Sequence, residues 1–289
     1  MNELTGKTLL ITGATNGIGK AVSIELAKMG GTLVLVGRDP EKTRRTVEEI
    51  KSESGNSAIE GLIADLSSMA DVRRLAETYK RKYSRLDVLV NDAGGIFATR
   101  QVTVDGYERT FATNHLAYFL LTNLLLEMLK ASAPSRVINV SSAAHRGAEL
   151  DFDDLQLEKN YSFGGMKAYS QSKLENLLFT YDLARGLAGT GVTVNAVHPG
   201  TVATGFGENN NGPMKVGMQF LHRFSLTPEQ GADTVVYLAS SPEVEGINGK
   251  YWVNRRQEVS SPASYDEEAQ KRLWAVSEQL TGIAEPVHA

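Results

Sequence analysis

The chain has 289 residues, with 30 basic against 34 acidic and a formal charge of -4, which excludes a general attraction to nucleic acid or anionic membranes and makes a small molecule the expected partner. Cysteine is absent, so disulfides, thiolate metal sites and a cysteine nucleophile are excluded. The first residues, Met1 to Lys7, carry neither a basic-apolar leader nor a membrane anchor, and a cytoplasmic protein is expected.

Thr8-Leu9-Leu10-Ile11 reads as a strand, Thr12 to Gly19 as a glycine turn, and the apolar positions Ala21, Ile24, Leu26, Ala27 and Met29 as a helix. Gly13, Gly17 and Gly19, with Thr15, Asn16 and Ile18 between them, let the backbone turn tightly and approach a ligand closely. The helix N-terminus that follows offers N–H groups to a phosphate, so a dinucleotide is the natural guest. Thr32 to Val36 is a second strand and ends in Gly37-Arg38-Asp39-Pro40. Asp39 competes for the ribose of NAD, but directly before Pro40 it reads as a helix N-cap. Arg38 is therefore assigned to the 2′-phosphate of NADP(H), which is favoured over NAD(H).

A charged helix from Pro40 to about Ser54 leads to a strand at Ala58 to Ile63, closed by Asp65-Leu66-Ser67-Ser68. Asp65 either faces an adenine or caps the next helix, Met69 to Tyr83. Leu86 to Val90 is a fourth strand, and Asn91-Asp92-Ala93-Gly94-Gly95 at its tip leaves room for a flat ring or a ribose. One long helix is expected from about Val104 to Lys130. It contains Asn114, an amide among apolar neighbours that by itself reads as satisfying backbone groups.

Arg136 to Ser142 is a fifth strand ending in two hydroxyls, one of which is expected to face the crevice at the carboxyl ends of the strands. Gly147 to Gly165 lacks periodicity and is expected as a loop or short-helix excursion. On the helix that follows, Tyr169 and Lys173 lie four residues apart, so a phenol and an ammonium project from one face. The cation is expected to favour the phenolate and bring its pKa from about 10 toward the working range. Val192 to Val197 is a sixth strand, followed by His198-Pro199-Gly200-Thr201-Val202-Ala203-Thr204, with His198 read as structural. A segment at about 203–226, apolar at Met214, Val216, Met218, Phe220, Leu221 and Phe224, suits a substrate lid, an interface or core. Thr227-Pro228-Glu229-Gln230 opens a capped helix, Gly249 to Val253 is the last strand, and about 264–282 forms a helical tail. The whole, 1–289, is expected as one α/β doubly wound (Rossmann) domain with a parallel seven-stranded sheet and helices on both faces.

These motifs in this order resemble the short-chain dehydrogenase/reductase family over nearly the whole chain. Thr12-Gly13-x-x-x-Gly17-x-Gly19 is similar to its cofactor turn, Asn91-Asp92-Ala93-Gly94 to its Asn-Asn-Ala-Gly tip, Tyr169-x-x-x-Lys173 to its catalytic pair, and Pro199-Gly200 to the turn beside the nicotinamide. Asn139 to His145, the long spacing from Ser142 to Tyr169, and Gly249-Lys250-Tyr251 with Leu273-Trp274 most resemble the retinol dehydrogenase group. The resemblance implies that Tyr169 donates or accepts the proton and that Lys173 holds the nicotinamide ribose and lowers the tyrosine's pKa. It also implies that Ser142, rather than Ser141, bonds the substrate oxygen and that Asn114 positions a water behind the lysine. The implied activity is NADP(H)-dependent interconversion of a hydrophobic aldehyde or ketone with its alcohol by a homodimer or homotetramer. The alternative is a catalytically silent cofactor-binding regulatory or scaffold protein. Asp92 departs from the family's second Asn.

Overall fold

Strands that are apolar at every position need cover on both faces, and this chain supplies it. In a computed structural model, residues 3–202 and 226–283 are described. β1 (Thr8–Thr12), β2 (Thr32–Gly37), β3 (Ile59–Ile63), β4 (Val88–Asn91), β5 (Ser135–Val140), β6 (Val192–His198) and β7 (Tyr251–Val253) run parallel, and β8 (Arg256–Glu258) is antiparallel to β7. The order is β3-β2-β1-β4-β5-β6-β7-β8. Register pairs Leu10 with both Val34 and Leu89, and Val90 with Ile138.

Alternation along the strands divides the apolar interior in two. Leu10, Val34, Val36 and Leu89 face α3 (Met69–Lys82), α5 (Ala117–Leu124) and α7 (Met166–Gly186). Leu9, Ile11, Leu33, Leu35 and Val90 face α1 (Gly17–Lys28), α2 (Pro40–Ser54) and α8 (Pro228–Ser240). The helix starts follow local chemistry. Asp39 Oδ1 accepts from the Lys42 N–H at 2.8 Å with Pro40 at the first turn, and Thr227 and Gln230 form a reciprocal capping box before α8.

Two sequence expectations change and a third holds. The sheet has eight strands instead of seven, because Asn254 and Arg255, both left-handed at φ 49° and 59°, turn the chain back after Val253 into an exposed β8. Two consecutive left-handed residues make a hairpin turn whose twist matches the strands it joins. The single helix expected from Val104 begins later, because a turn through Asp105-Gly106 precedes it and Glu108 caps it through the Thr110 and Phe111 N–H groups. It is then divided into α4 (Arg109–Phe111), a π-helical turn at Ala112–Leu116, α5, and α6 (Leu126–Ala131). The 147–165 excursion is mostly irregular, bounded by short 3₁₀ turns at Ala143–Gly147 and Phe163–Gly165.

The tail forms α9 (Glu267–Thr281), capped by Asp266. Trp274 stands 4.9 Å from the Phe119 ring and 5.8 Å from that of Phe179, and Ser277 Oγ lies 2.8 Å from His115 Nε2. The apolar face of α7 beyond Lys173 is thus covered within the same chain. Among the described residues no helix is long and apolar enough to cross a membrane.

Candidate active site

The carboxyl ends of β1, β2, β4, β5 and β6 meet along one edge, and the sheet order reverses between β1 and β4, where ligands of such sheets lodge. Thr12 closes β1 by accepting the N–H groups of Asp92 and Ala93 on its hydroxyl at 3.0 and 3.1 Å, which draws the β4 tip onto the glycine turn. Gly13 is left-handed at φ 71°, and a methyl group there would stand 2.9 Å from Ala93 Cα. A methyl at Gly19 would stand 2.6 Å from Asp92 Oδ2. Only glycine fits at either place.

Asn16 begins α1 without a side-chain cap, so the first turn keeps N–H groups for an anion. Gly17 and Ile18 belong to that turn, and Thr15 stands by Gly37 at the end of β2. Arg38 is exposed beside them, with Asp39 turned away into its cap. This cradle of open N–H groups, glycines and an exposed guanidinium fits a dinucleotide phosphate chain. Asp65 closes its own turn by accepting from the Ser67 N–H and hydroxyl, while Ser68 caps α3. Leu66 is buried in the core. Asn91 is also buried, donating to Asn139 Oδ1 at 2.9 Å and Thr122 Oγ1 at 3.0 Å, so its side chain ties β4 to β5 beneath the cleft. Ala93, Gly94, Pro199 and Gly200 lie at the strand tips, and Val202 packs against Gly231 of α8. Thr204, with 203–225 of the expected substrate segment, falls outside the described residues.

The two serines of β5 part company. Ser141 Oγ donates to the Lys173 carbonyl at 2.8 Å and is buried, whereas the Ser142 hydroxyl is half-buried and lies near enough to the Tyr169 phenol to favour its anion. Lys173 stands behind the tyrosine, its ammonium 5.5 Å from the ring centroid and donating to Val140 O at 2.9 Å. The Asn114 side chain is fully engaged: Oδ1 accepts from Gly95 N–H, and Nδ2 donates to Gly95 O and Ser172 Oγ. Ser142, Tyr169, Lys173 and Asn114 are therefore gathered at one edge.

The electrostatics are less simple than the Tyr–Lys spacing suggests. Removal from water pushes Tyr169 up to about 12, with the Asp92 charge acting in the same direction, and the nearby Ser142 hydroxyl only partly offsets them. Lys173 is pushed down to about 8 by burial, against the pull of Asp92. Asp92 itself is pushed up to about 7 by desolvation, although Lys173 and a hydrogen bond from the Gly19 N–H favour its anion. Low-dielectric surroundings disfavour every isolated charge, so the pair does not by itself make a phenolate.

A sheet that reverses its order beside an open helix N-terminus, with a serine at a strand end and a tyrosine and a lysine on the helix packed against it, is the frame of a dinucleotide-dependent oxidoreductase. The family described as short chain dehydrogenase matches residues 7–152 and 157–214. Human retinol dehydrogenase 13 is 41% identical over 98% of this chain and 87% of its own length, and human retinol dehydrogenase 14 is 42% identical over 96% and 87%. A short chain dehydrogenase from Burkholderia cenocepacia, solved in complex with NADP, superposes with a TM-score of 0.69 at 27% identity, covering 86% of this chain and 96% of that one. The chain belongs to the short-chain dehydrogenase/reductase family, in its retinol dehydrogenase group, and is an NAD(P)-dependent oxidoreductase acting on CH–OH groups.

Proposed function

We propose that this protein interconverts a hydrophobic aldehyde or ketone with its alcohol, using NADP(H) and Tyr169 as the acid/base. The observation that carries the reading is the Ser142 hydroxyl beside the Tyr169 phenol, with Lys173 behind it. Two neighbouring hydroxyls can converge on a single carbonyl oxygen, Ser142 orienting it and Tyr169 delivering a proton to it. The nicotinamide supplies hydride in reduction and accepts it in oxidation.

Lys173 holds its charge against Val140 O, where it can also hold a ribose hydroxyl, and Asn114 braces the β4 tip opposite. NADP(H) is supported by the exposed Arg38 and by the NADP with which the similar Burkholderia protein was solved. A hydrophobic substrate is supported by the names of the two human relatives, retinol being an apolar alcohol. Because α9 covers the outer face of α7, a homodimer or homotetramer would use another surface. Mixing the purified protein with NADPH and a panel of apolar aldehydes and ketones tests the reading, with loss of absorbance at 340 nm expected. Tight NADPH binding without oxidation by any of them would overturn it in favour of a silent cofactor-binding protein.

A further inference from the structure

His145 lies three residues beyond Ser142, is 0% exposed, and has both ring nitrogens in use. Nδ1 is 2.6 Å from the carbonyl oxygen of Ser142, and Nε2 is 3.0 Å from the backbone nitrogen of Ser261. A carbonyl can only accept and a peptide N–H can only donate, so these two bonds define a neutral imidazole with its proton on Nδ1. The ring of Tyr251 stands edge-on at 5.1 Å and closes another side. The next residue, Arg146, donates to Val259 O at 2.8 Å. The end of β5 is therefore stapled to residues 259–261 by two consecutive side chains.

That segment is in turn held by the helix that carries Tyr169 and Lys173. Ser260 Oγ lies 2.6 Å from Tyr181 Oη on α7 and 2.6 Å from Ser264 Oγ, and the Tyr181 and Tyr265 rings stack at 5.2 Å. Ser141 contacts the same helix directly through the Lys173 carbonyl. Ser142 thus sits between two ties to α7, one through its neighbour Ser141 and one running through His145, Ser261 and Ser260. Its hydroxyl accepts the Ala144 N–H at 3.2 Å and lies beside the Tyr169 phenol, whose anion it favours, so a shift of its backbone would spoil both contacts.

We propose that His145 is a positioning residue: by bridging Ser142 to Ser261 of the C-terminal segment, it sets where the Ser142 hydroxyl stands relative to Tyr169. This rests on the reading that Ser142 and Tyr169 face the substrate. Protonating the imidazole would turn Nε2 into a donor facing the Ser261 N–H, and the bridge would open. Burial and the Arg146 charge oppose that protonation, while the bond to Ser142 favours it, and His145 is held below the usual imidazole range. The other titratable or charged groups around it are His198 at the end of β6, Tyr251 of β7, and Glu258, which pairs with Arg146 at 3.8 Å.

Ser261→Pro removes the single N–H that the bridge uses. Ser261 has φ -65° and ψ 149°, values proline adopts, and its hydroxyl has no hydrogen-bond partner, so the cost falls on the bridge itself, where the proline ring takes the place of the N–H and displaces the His145 imidazole. His145→Phe keeps a flat ring and removes both bonds. With full-length protein, NADPH and an apolar aldehyde that the wild type reduces, each variant should lower kcat by roughly ten- to a hundredfold with NADPH affinity unchanged. The double variant should be no slower than the slower single one. The acid limb that imidazole protonation imposes on kcat should disappear in Ser261→Pro. Full kcat in a folded Ser261→Pro, additive losses, or an equal loss of NADPH affinity would overturn the proposal. Ser142→Ala and Tyr169→Phe serve as controls: if they remain active, it is the site reading that fails. Independently of turnover, NMR of protein carrying ¹⁵N-histidine should find His145 as the Nδ1–H tautomer, with that preference lost in Ser261→Pro. A wild-type Nε2–H tautomer would also overturn it.

Discussion

Asn114 and Gly95 hold each other by two hydrogen bonds, the Gly95 N–H donating to Oδ1 at 3.0 Å and Nδ2 donating to the Gly95 carbonyl at 3.1 Å. The second amide proton goes to Ser172 Oγ at 3.0 Å, beside Lys173. One side chain inside a π-helical turn thereby braces the β4 tip against α7. Asn114→Ala would leave these groups unpaired, and Asn114 is 0% exposed. We expect a loss of about 2–3 kcal/mol in denaturant unfolding. A loss too small to measure would mean that water replaces the amide without cost.

Tyr169 and Lys173 should separate chemistry from binding. Tyr169→Phe removes the proton donor and keeps the ring, so turnover should fall by at least about a hundredfold while NADPH affinity is retained. Lys173→Ala should impair both, since its ammonium stands behind the phenol and can reach a ribose. Isothermal titration alongside steady-state kinetics reads the two quantities separately. Retained activity in the phenylalanine variant would contradict the proton-transfer role.

Arg38 is exposed at the end of β2 while the neighbouring Asp39 is committed to capping α2. Arg38→Ala should weaken NADPH about tenfold or more, the size of a charge-assisted hydrogen bond, and leave NADH little changed. Equal weakening of both cofactors would remove Arg38 from the 2′-phosphate.

Asp92→Asn should move a pH limb. The Asp92 carboxylate is anionic above about 7 and raises the affinity of Lys173 for its proton, which is lost as pH rises through about 8. An amide keeps an acceptor for the Gly19 N–H but removes the anion, so Lys173 should deprotonate at a lower pH. The alkaline limb of kcat/KM, measured between about pH 6 and 10 around these values, should shift downward. An unmoved or raised limb would uncouple the two residues.

Much of the cradle could be read along the chain because its causes are local. Glycines at 13, 17 and 19, an aspartate before Pro40 and all-apolar strand runs each act within a few residues, and they place the turn, the cap and the doubly wound sheet. β8 escaped because a three-residue exposed strand has no apolar alternation to betray it, although Asn254 is the sort of residue that tolerates the turn before it. The π-helical turn escaped because its apolar spacing passes for that of an ordinary helix.

Other features depend on what long-range packing brings together. Ser141 and Ser142 are adjacent hydroxyls at a strand end, and resemblance singles out Ser142, but only the docking of α7 shows one bonded to a helix carbonyl and the other beside the Tyr169 phenol. His145 and Ser261 stand 116 positions apart, and no spacing rule joins them. The Tyr–Lys pair was legible as a pair, yet its expected low phenol pKa is reversed in this structure. Side-chain spacing specifies which charges meet, whereas the water excluded by distant segments sets what each charge costs.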